Sequence, residues 1–389
     1  MSVDLIFAGT FAVLALGIWL YAISVPQGGR TWWALTIAMV LLAIGGVLTS
    51  GSLISTICLD LAELAGVALV WSHRTKPAEA AARTYLYAIL PGIACTLLAL
   101  ALMGETGNRP AIFVEDLIVF LIILGFALKL GLIPFYFWLP AVASTAPPMT
   151  TALIVAVVDI ATFVELVAIR QTSPWLFTEH TAIWMIIALS SMFGGAVLAL
   201  AQTELKRMLA FSTIADLGFL LVGLIAGGSA GIAGVWIGAL SHALSKVVLF
   251  GAVGLGEMRI GRPLTLDTSG LGAQLPWASA AFIAAALSFI GVPPGFGFAG
   301  YWRIYIAATQ FGGPLLIAAL LATAALDLLC YARAIHRTWL GPAQVPIIGT
   351  PTHLASGVLT VLAVVTVLLG CYPGVLTGAI VPHLLAMTQ

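Results

Sequence analysis

Lys129 lies inside a long apolar stretch, shortly before Pro134 and Pro140. A charged side chain costs about 2.5–3.5 kcal/mol to insert into a bilayer, and a proline inside a helix leaves a carbonyl without its donor. Both are tolerated where the backbone lines a polar cavity within protein. The stretch 129–140 therefore predicts a broken membrane helix whose lysine takes up and releases protons. A proline kink with a lysine that reaches the membrane surface is the alternative.

Carboxylic acids also occur inside apolar runs. Asp60 and Glu63 are three residues apart and share one helical face. Glu63 lies deeper, so it must be protonated or paired and is the predicted functional group, whereas Asp60 is interpreted as a helix cap or an interface residue. Asp159 and Glu165 are about 120° apart around a helix axis. Asp159 lies nearer to the middle of its span and is the better candidate for the partner of a buried lysine.

The second half of the chain repeats this layout in weaker form. Asp216 is a carboxylic acid within an apolar run. His242 and Lys246 are four residues apart and share one face, with Ser241 and Ser245 on the adjacent face. Four polar groups on one stripe of a membrane helix rarely face lipid. The stripe predicts a polar pathway, and a hydrogen-bonded packing seam is the alternative.

A second interruption lies at 291–298. It holds Pro293 and Pro294 together with three glycines, and Tyr301 and Arg303 follow it. Interrupted spans at corresponding places in two halves are typical of transporters built from repeats, which gather their functional groups at the breaks. The two breaks therefore predict one proton pathway, on which Tyr301 and Arg303 also lie.

The composition indicates a membrane protein. Of 389 residues, 61% are hydrophobic and 8% are charged, and the formal net charge is zero. These values exclude a soluble globule and offer no basic surface for nucleic acid. A spanning helix needs about 20 apolar residues; the first such segment lacks a cleavage site and is expected to stay as a helix. The predicted spans are 3–25, 31–49, 52–72, 84–103, 113–139, 148–170, 181–202, 208–227, 231–256, 276–308, 313–338 and 354–380.

These spans predict an all-α polytopic membrane protein with about 12 transmembrane helices and two inverted five-helix repeats, each with a broken helix. The predicted divisions are two N-terminal helices in 1–50, a first repeat in 51–202 with its break at 129–140, a second repeat in 203–340 with its break at 291–303, and a C-terminal helix in 341–389.

Lysine and arginine are unevenly distributed over the connections. One predicted side holds ten of them: Arg30, Arg74, Lys76, Arg83, Lys206, Arg207, Arg259, Arg262, Arg333 and Arg337. The other side holds two, Arg109 and Arg170. Because cytoplasmic connections carry the excess of basic residues, we predict that both termini lie outside the cytoplasm, in a multi-pass protein of the inner (cytoplasmic) membrane.

No cofactor or metal site is predicted. The four cysteines, at positions 58, 95, 330 and 371, have no close pairing and no iron–sulfur or zinc spacing. Of the six histidines, only His242 is predicted near the middle of the membrane, which argues against a pair of haem ligands. The chain is expected to have no catalytic centre of its own.

Four motifs together resemble the antiporter-like proton-pumping subunits shared by respiratory complex I, energy-converting membrane hydrogenases and multisubunit cation/proton antiporters. Within residues 55–340 they follow the family's order: 129–140 with 146–148, then 204–218, 242–250 and 291–298. The resemblance implies that Glu63 pairs with Lys129. It also implies that Lys246 is the central lysine of the second half, with His242 one turn before it.

The chain departs from the family pattern at three positions. Asp159 stands where the family usually has a lysine or histidine, and Asp216 where it commonly has a histidine. Tyr301, with Arg303 two residues on, stands where the family often has a lysine past the second break. We expect that the acid at 159 gives Lys129 a permanent counter-ion.

The resemblance implies a proton-translocating subunit of a larger membrane complex, driven by a redox module of the NADH–quinone oxidoreductase or membrane hydrogenase type, or by an ion gradient elsewhere. Its partners would be other membrane subunits, lipids and protons, with Na⁺ left open as the coupled ion. One alternative is a scaffold subunit with an interrupted pathway. The other is the membrane partner of a gradient-driven uptake system for inorganic carbon or cations.

Overall fold

Long apolar helices form the structure, a computed structural model that describes residues 3–104, 112–342, 352–374 and 378. Arg109 lies outside the described residues. Within them, ten helical segments are long and apolar enough to cross a membrane, and the only extended pairing is one isolated bridge between Glu204 and Thr265. The all-α, multi-pass architecture is confirmed. The total of twelve spans and the five-helix repeats stay predictions.

The described part of the first half holds ten helices. Of these, α5 and α6 form the broken span, and a π-helical turn at Ile154–Val158 joins α7 to α8. They are α1 (Val3–Ser24), α2 (Arg30–Leu48), α3 (Leu53–Trp71), α4 (Lys76–Met103), α5 (Ile112–Lys129), α6 (Trp138–Thr145), α7 (Pro148–Leu153), α8 (Asp159–Thr172), α9 (Trp175–Thr178) and α10 (Thr181–Ala201).

The described part of the second half adds six helices, and α15 ends in another π-helical turn at Ile335–Trp339. They are α11 (Leu205–Ala226), α12 (Gly228–Ile260), α13 (Leu271–Gln274), α14 (Pro276–Phe289), α15 (Phe296–Ala334) and α16 (His353–Cys371). α15 passes through a kink at Gly313, whose φ of 62° is left-handed. This kink, followed by Pro314, lies where the predicted spans 276–308 and 313–338 meet.

Capping residues explain where some helices begin. The side chain of Ser52 accepts a hydrogen bond from the Ser55 amide at the start of α3. α4 begins at Lys76, well before the predicted position 84, because Thr75 caps it and accepts from the Ala78 amide. Its first turns are charged, so hydropathy alone does not reveal them.

The first break separates α5 from α6. Gly131 has a φ of 62°, a conformation that glycine adopts without steric penalty, and Pro134 has no amide hydrogen to continue the helix. The indole nitrogen of Trp138 donates to the Leu128 carbonyl at 3.0 Å. Since that bond satisfies a carbonyl freed by the break, the chain can end α5 at Lys129 inside the protein.

The second break separates α14 from α15 and contains Pro293 and Pro294. Gly291 has a φ of 75°, and the Ser288 hydroxyl accepts a hydrogen bond from the amide of Gly297 at 3.3 Å. At this break too, a side chain of the broken span, here Ser288, replaces a backbone hydrogen bond that the break removes.

The two breaks share their local geometry. Gly131 and Gly291 both have positive φ, and the amide after each glycine bonds to the carbonyl five residues earlier: Leu132 to Ala127 and Val292 to Leu287. Each helix before the break ends two residues before its glycine, at Lys129 and at Phe289. Phe289 therefore occupies the structural position of Lys129.

Three segments are almost entirely enclosed by other helices: 148–172, α11 and α12. Between them they carry most of the ionisable residues singled out above: Asp159, Glu165, Asp216, His242 and Lys246. The polar groups therefore lie along the centre of the protein, whereas fewer than half of the residues of α2, α4, α10 and α16 are buried.

Candidate functional site

The first cluster surrounds Lys129, which is almost fully buried at the end of α5. Its Nζ donates a hydrogen bond to Asp60 Oδ1 at 2.8 Å. It also lies 3.5 Å from Glu63 Oε1 and 3.6 Å from Glu165 Oε2. One buried cation thus faces three carboxylic acids, which together we call the Lys129 cluster.

Two threonines hold the glutamates of the Lys129 cluster by reciprocal bonds between α3 and α8. Thr162 on α8 donates to Glu63 at 2.8 Å, and Thr56 on α3 donates to Glu165 at 2.5 Å. Each glutamate is therefore fixed by the opposite helix. One oxygen of each acid still has no hydrogen-bond partner in the described part of the chain, namely Asp60 Oδ2, Glu63 Oε2 and Glu165 Oε2.

The charge balance of the Lys129 cluster is informative. Three ionised acids around one lysine would leave an excess of negative charge in a buried region of low dielectric constant, which is strongly unfavourable. Near-neutrality requires that some of these carboxyl groups carry protons.

Two sequence-based interpretations are wrong here. Asp60 lies in the middle of α3, so it is not a helix cap, and it is the nearest partner of Lys129. The acid that α8 presents to Lys129 is Glu165, and no ion pair joins Asp159 to Lys129 among the described residues. Because these two acids lie about 120° apart on the helix, only one of them can face the lysine. Asp159 is therefore not its counter-ion.

Asp159 lies between the two halves instead. Its Oδ2 is buried without a hydrogen-bond partner in the described residues, and its carboxyl group and that of Glu63 repel each other electrostatically. The hydroxyl of Tyr85, whose ring stacks on Trp138 at 4.2 Å, is near both acids. The π-helical turn before Asp159 packs against both α3 and α12.

The second cluster is centred on Asp216 of α11. Its Oδ2 is 2.6 Å from Nδ1 of His242, and its Oδ1 accepts a hydrogen bond from the hydroxyl of Tyr301. The Val155 carbonyl, in the π-helical turn, is close to the His242 ring, although Nε2 makes no hydrogen bond of normal geometry. The imidazole thus faces Asp216 on one side and the segment that carries Asp159 on the other.

Lys246 has a different environment from Lys129. Its Nζ donates to the Leu209 carbonyl at 2.8 Å and to the Ser212 hydroxyl at 2.7 Å. It lies 4.0 Å from the centre of the Phe289 ring, a cation–π geometry. Among the described residues, no carboxylate oxygen lies within 4.0 Å of Lys246 Nζ.

Arg303 does not join the second cluster. It is half-buried, and its Nη1 donates to the Ala299 carbonyl at 2.6 Å, one turn earlier on its own helix. Two residues of an α-helix turn the side chain by about 200°, so Arg303 points away from the face that carries Tyr301.

Asp327 of α15 is a residue that the sequence reading missed. It lies beside Asp216, Tyr301 and Tyr305 around a small cavity. A single aspartate in an otherwise apolar stretch was the available signal, the same one that identified Asp216. Within the described ranges, no group of three or more histidine, cysteine, aspartate or glutamate side chains is arranged so that it could hold a metal ion.

An ion pair joins the start of α11 to α12. Lys206 Nζ lies 3.2 Å from Glu257 Oε2. In the connection just before α11, burial raises the pKa of the Glu204 carboxyl against the opposing effect of Lys206. Glu204 therefore retains a proton to higher pH than an exposed glutamate does.

The sequence matches the profile of the family described as NADH:quinone oxidoreductase/Mrp antiporter, transmembrane, over residues 59–326. The chain is 31% identical over 277 residues to NADH-quinone oxidoreductase subunit N 3 of Streptomyces griseus, covering 70% of this chain and 50% of that protein. It is 32% identical over 260 residues to subunit N of Salinispora arenicola, covering 65% and 50%. The chain thus spans about half the length of these relatives.

Solved structures share the fold. A chain of the Mrp complex from Dietzia sp. DQ12-45-1b superposes with a TM-score of 0.89 at 20% identity, covering 97% of this chain and 82% of that one. A chain of respiratory complex I from Thermus thermophilus gives 0.80 at 25% identity, with 95% and 84% covered. The family profile spans more than half of the sequence, and this chain belongs to the NADH:quinone oxidoreductase/Mrp antiporter transmembrane family.

Proposed function

We propose that the chain is a proton-translocating, antiporter-like subunit of a multisubunit membrane complex of the NADH–quinone oxidoreductase type. One observation carries the proposal: a succession of buried ionisable groups leads from the Lys129 cluster through Asp159 to Asp216 and His242. Buried ionisable groups inside a membrane protein are unfavourable unless they serve a pathway or pair with one another. Here several carboxyl oxygens are left unpaired.

A movement of a carboxylate within the Lys129 cluster would cause Lys129 to bind and release a proton. At an effective dielectric constant of about 20, a carboxylate 3.5 Å away attracts Nζ by roughly 5 kcal/mol. Doubling that distance removes about half of this attraction. The change is similar to the roughly 2.3 kcal/mol needed to move one charge across 100 mV. A shift of Glu63 by a few ångströms is therefore sufficient in scale.

The segment 148–172 would connect the two clusters. Asp159 and Glu63 interact electrostatically, and the Val155 carbonyl of the π-helical turn before Asp159 lies close to His242. A π-helical turn leaves a carbonyl without its usual helical donor, which is why such turns often occur at functional sites. Protons would pass from the Lys129 cluster to Asp159 and then to the His242–Asp216 pair.

The assembly and location follow from the same proposal. Relatives named as subunit N of NADH-quinone oxidoreductase suggest other membrane subunits as partners, in the cytoplasmic membrane of a bacterium. The distribution of basic residues places Glu204 and Lys206 on the cytoplasmic side, with both termini on the other. Glu204, which holds its proton to higher pH, would lie where protons arrive.

A second candidate function, a non-conducting scaffold subunit, is favoured by one observation. Phe289 occupies the structural position of Lys129 at the second break, so the second half lacks a lysine there. If the absence of a lysine at this position interrupts the pathway, the chain would be needed for assembly but would carry no protons.

Proton movement in inverted membrane vesicles tests the proposal. The chain is produced together with the proteins encoded beside it, and proton uptake is followed with a pH-sensitive acridine dye after NADH or a Na⁺ gradient is supplied. We expect Lys129→Ala to lower the uptake rate at least tenfold. The control Lys76→Ala changes an exposed lysine and should behave as the native chain does.

Two results would contradict the proposal. Native uptake rates in Lys129→Ala vesicles would show that protons do not use the Lys129 cluster. Vesicles in which the native chain is required for the complex to assemble, yet adds no proton uptake, would identify the scaffold function instead.

A further inference from the structure

Asp327 is an acid with a buried carboxyl oxygen that none of the family motifs includes. It lies on the second part of α15, beyond the kink at Gly313. The residue as a whole is partly exposed, but its Oδ1 is buried and has no hydrogen-bond partner in the described residues. An unpaired buried carboxyl oxygen needs an explanation, such as an unseen water or a role in proton transfer.

A cavity of about 10 Å³ lies directly beside this acid. Asp216, Tyr301, Tyr305 and Asp327 are among the residues that line it. This volume is at the lower limit for one water molecule, which also needs two to four polar partners. Two carboxyl groups and two phenol groups supply enough of them, because each carboxyl oxygen has two lone pairs.

The second break leaves this cavity as the polar route out of the second cluster. At the position of Lys129 stands Phe289, whose ring covers Lys246. Lys246 directs its own hydrogen bonds to Leu209 and Ser212, on α11. Phe289 therefore offers no polar group at the position that corresponds to Lys129, whereas the cavity brings Asp216 next to the carboxyl group of Asp327.

We propose that Asp327 is the proton acceptor beyond the second break and that one water molecule, held in this cavity, connects it to Asp216. The carboxyl group of Asp216 gives its proton to the water, and the water passes one of its own protons to the Asp327 carboxylate. Only O–H bonds form and break, and charge is conserved. This inference rests on the proposed function, because it extends the same pathway by one step.

The test measures proton uptake in the vesicles described above. Asp327→Asn keeps the shape of the side chain but cannot accept a proton, and we expect the uptake rate to fall at least tenfold. Asp327→Glu should restore part of the rate. The matched control is Asp267→Asn, which changes an exposed acid in the connection after α12 and should leave the rate as in the native chain.

A second variant tests the water directly. Ala324 also lines the cavity, so Ala324→Val fills it while leaving Asp327 in place. We expect a reduced rate here as well, and this variant decides the matter if Asp327→Asn fails to assemble. Native rates in either Asp327→Asn or Ala324→Val would overturn the inference. If Lys129→Ala still abolishes uptake in that case, the proposed function stands and only this extension falls.

Discussion

Replacing Asp60 by asparagine tests which acid controls Lys129. The family resemblance assigns that role to Glu63, whereas the structure places Asp60 nearest, at 2.8 Å from Nζ. Asparagine has nearly the same shape as aspartate but no charge. The substitution therefore removes the closest negative charge without opening a cavity.

The expected ranking follows from the distances. At an effective dielectric constant of about 20, a full charge at 2.8 Å attracts Nζ by roughly 6 kcal/mol. The corresponding value is roughly 5 kcal/mol for Glu63 at 3.5 Å and Glu165 at 3.6 Å. The difference of about 1 kcal/mol corresponds to roughly a fivefold effect. Asp60 also makes the direct hydrogen bond, which adds to the difference.

Proton uptake in inverted vesicles measures this ranking when Asp60→Asn, Glu63→Gln and Glu165→Gln are compared at equal amounts of assembled complex. We expect the largest loss for Asp60→Asn. The effect of the double variant Asp60→Asn with Glu63→Gln should differ from the sum of the two single effects, because both acids share one partner. If Asp60→Asn retains the native rate while Glu63→Gln abolishes uptake, the distance-based reasoning is refuted.

Two further predictions concern packing and the second cluster. A β-carbon on Gly92 would lie 2.8 Å from Lys129 Cγ, so Gly92→Ala should displace the lysine, lower the stability of the protein by about 1–3 kcal/mol and slow proton uptake. The control Gly9→Ala places its β-carbon in open space and should change neither stability nor uptake. Thermal unfolding of the purified complex and uptake assays measure the two effects. Tyr301→Phe removes the bond to Asp216, worth about 1.5–3 kcal/mol, and should slow uptake roughly tenfold or more. Arg303→Gln should stay within about twofold of native, because its side chain bonds to its own helix; equal losses in both variants would contradict the separation of their side chains.

The fold was predictable because it depends on hydropathy and on special backbone residues. Long apolar runs predict spanning helices, and glycine with proline predicts where they break, as at Gly131 and Gly291. The boundary of α4 was not predictable from hydropathy, since its first turns are charged and owe their helical form to the Thr75 cap. Local hydrogen bonding, not apolar content, decides such positions.

The partners within the site were less predictable than its members. Helical spacing shows that Asp159 and Glu165 cannot both face one lysine, but it does not say which of them does. Only the packing of α3 against α8, with Thr56 and Thr162 bonded across it, selects Glu165. Asp60 was misread for a similar reason, because its depth in the apolar run says nothing about the helix that packs against it.

The two lysines differ in what balances their charge, and this difference links the two ends of the pathway. A cation at Lys129 is compensated locally by Asp60, Glu63 and Glu165. At Lys246 the groups in contact are a carbonyl, a hydroxyl and an aromatic ring, all neutral. Positive charge that moves from the first cluster to the second is therefore stabilised only if an acid of the second half is ionised.

Asp216 and Asp327 are the acids near enough to supply that negative charge, since both act electrostatically on Lys246. An Asp327 that has released its proton outward would favour the arrival of the next positive charge at Lys246, because unlike charges attract across a region of low dielectric constant. Release at the second break and transfer from the first would then occur in turn. Loss of Asp327 should consequently slow the protonation of Lys246 as well as the final release of the proton. A scaffold subunit would not need this coupling.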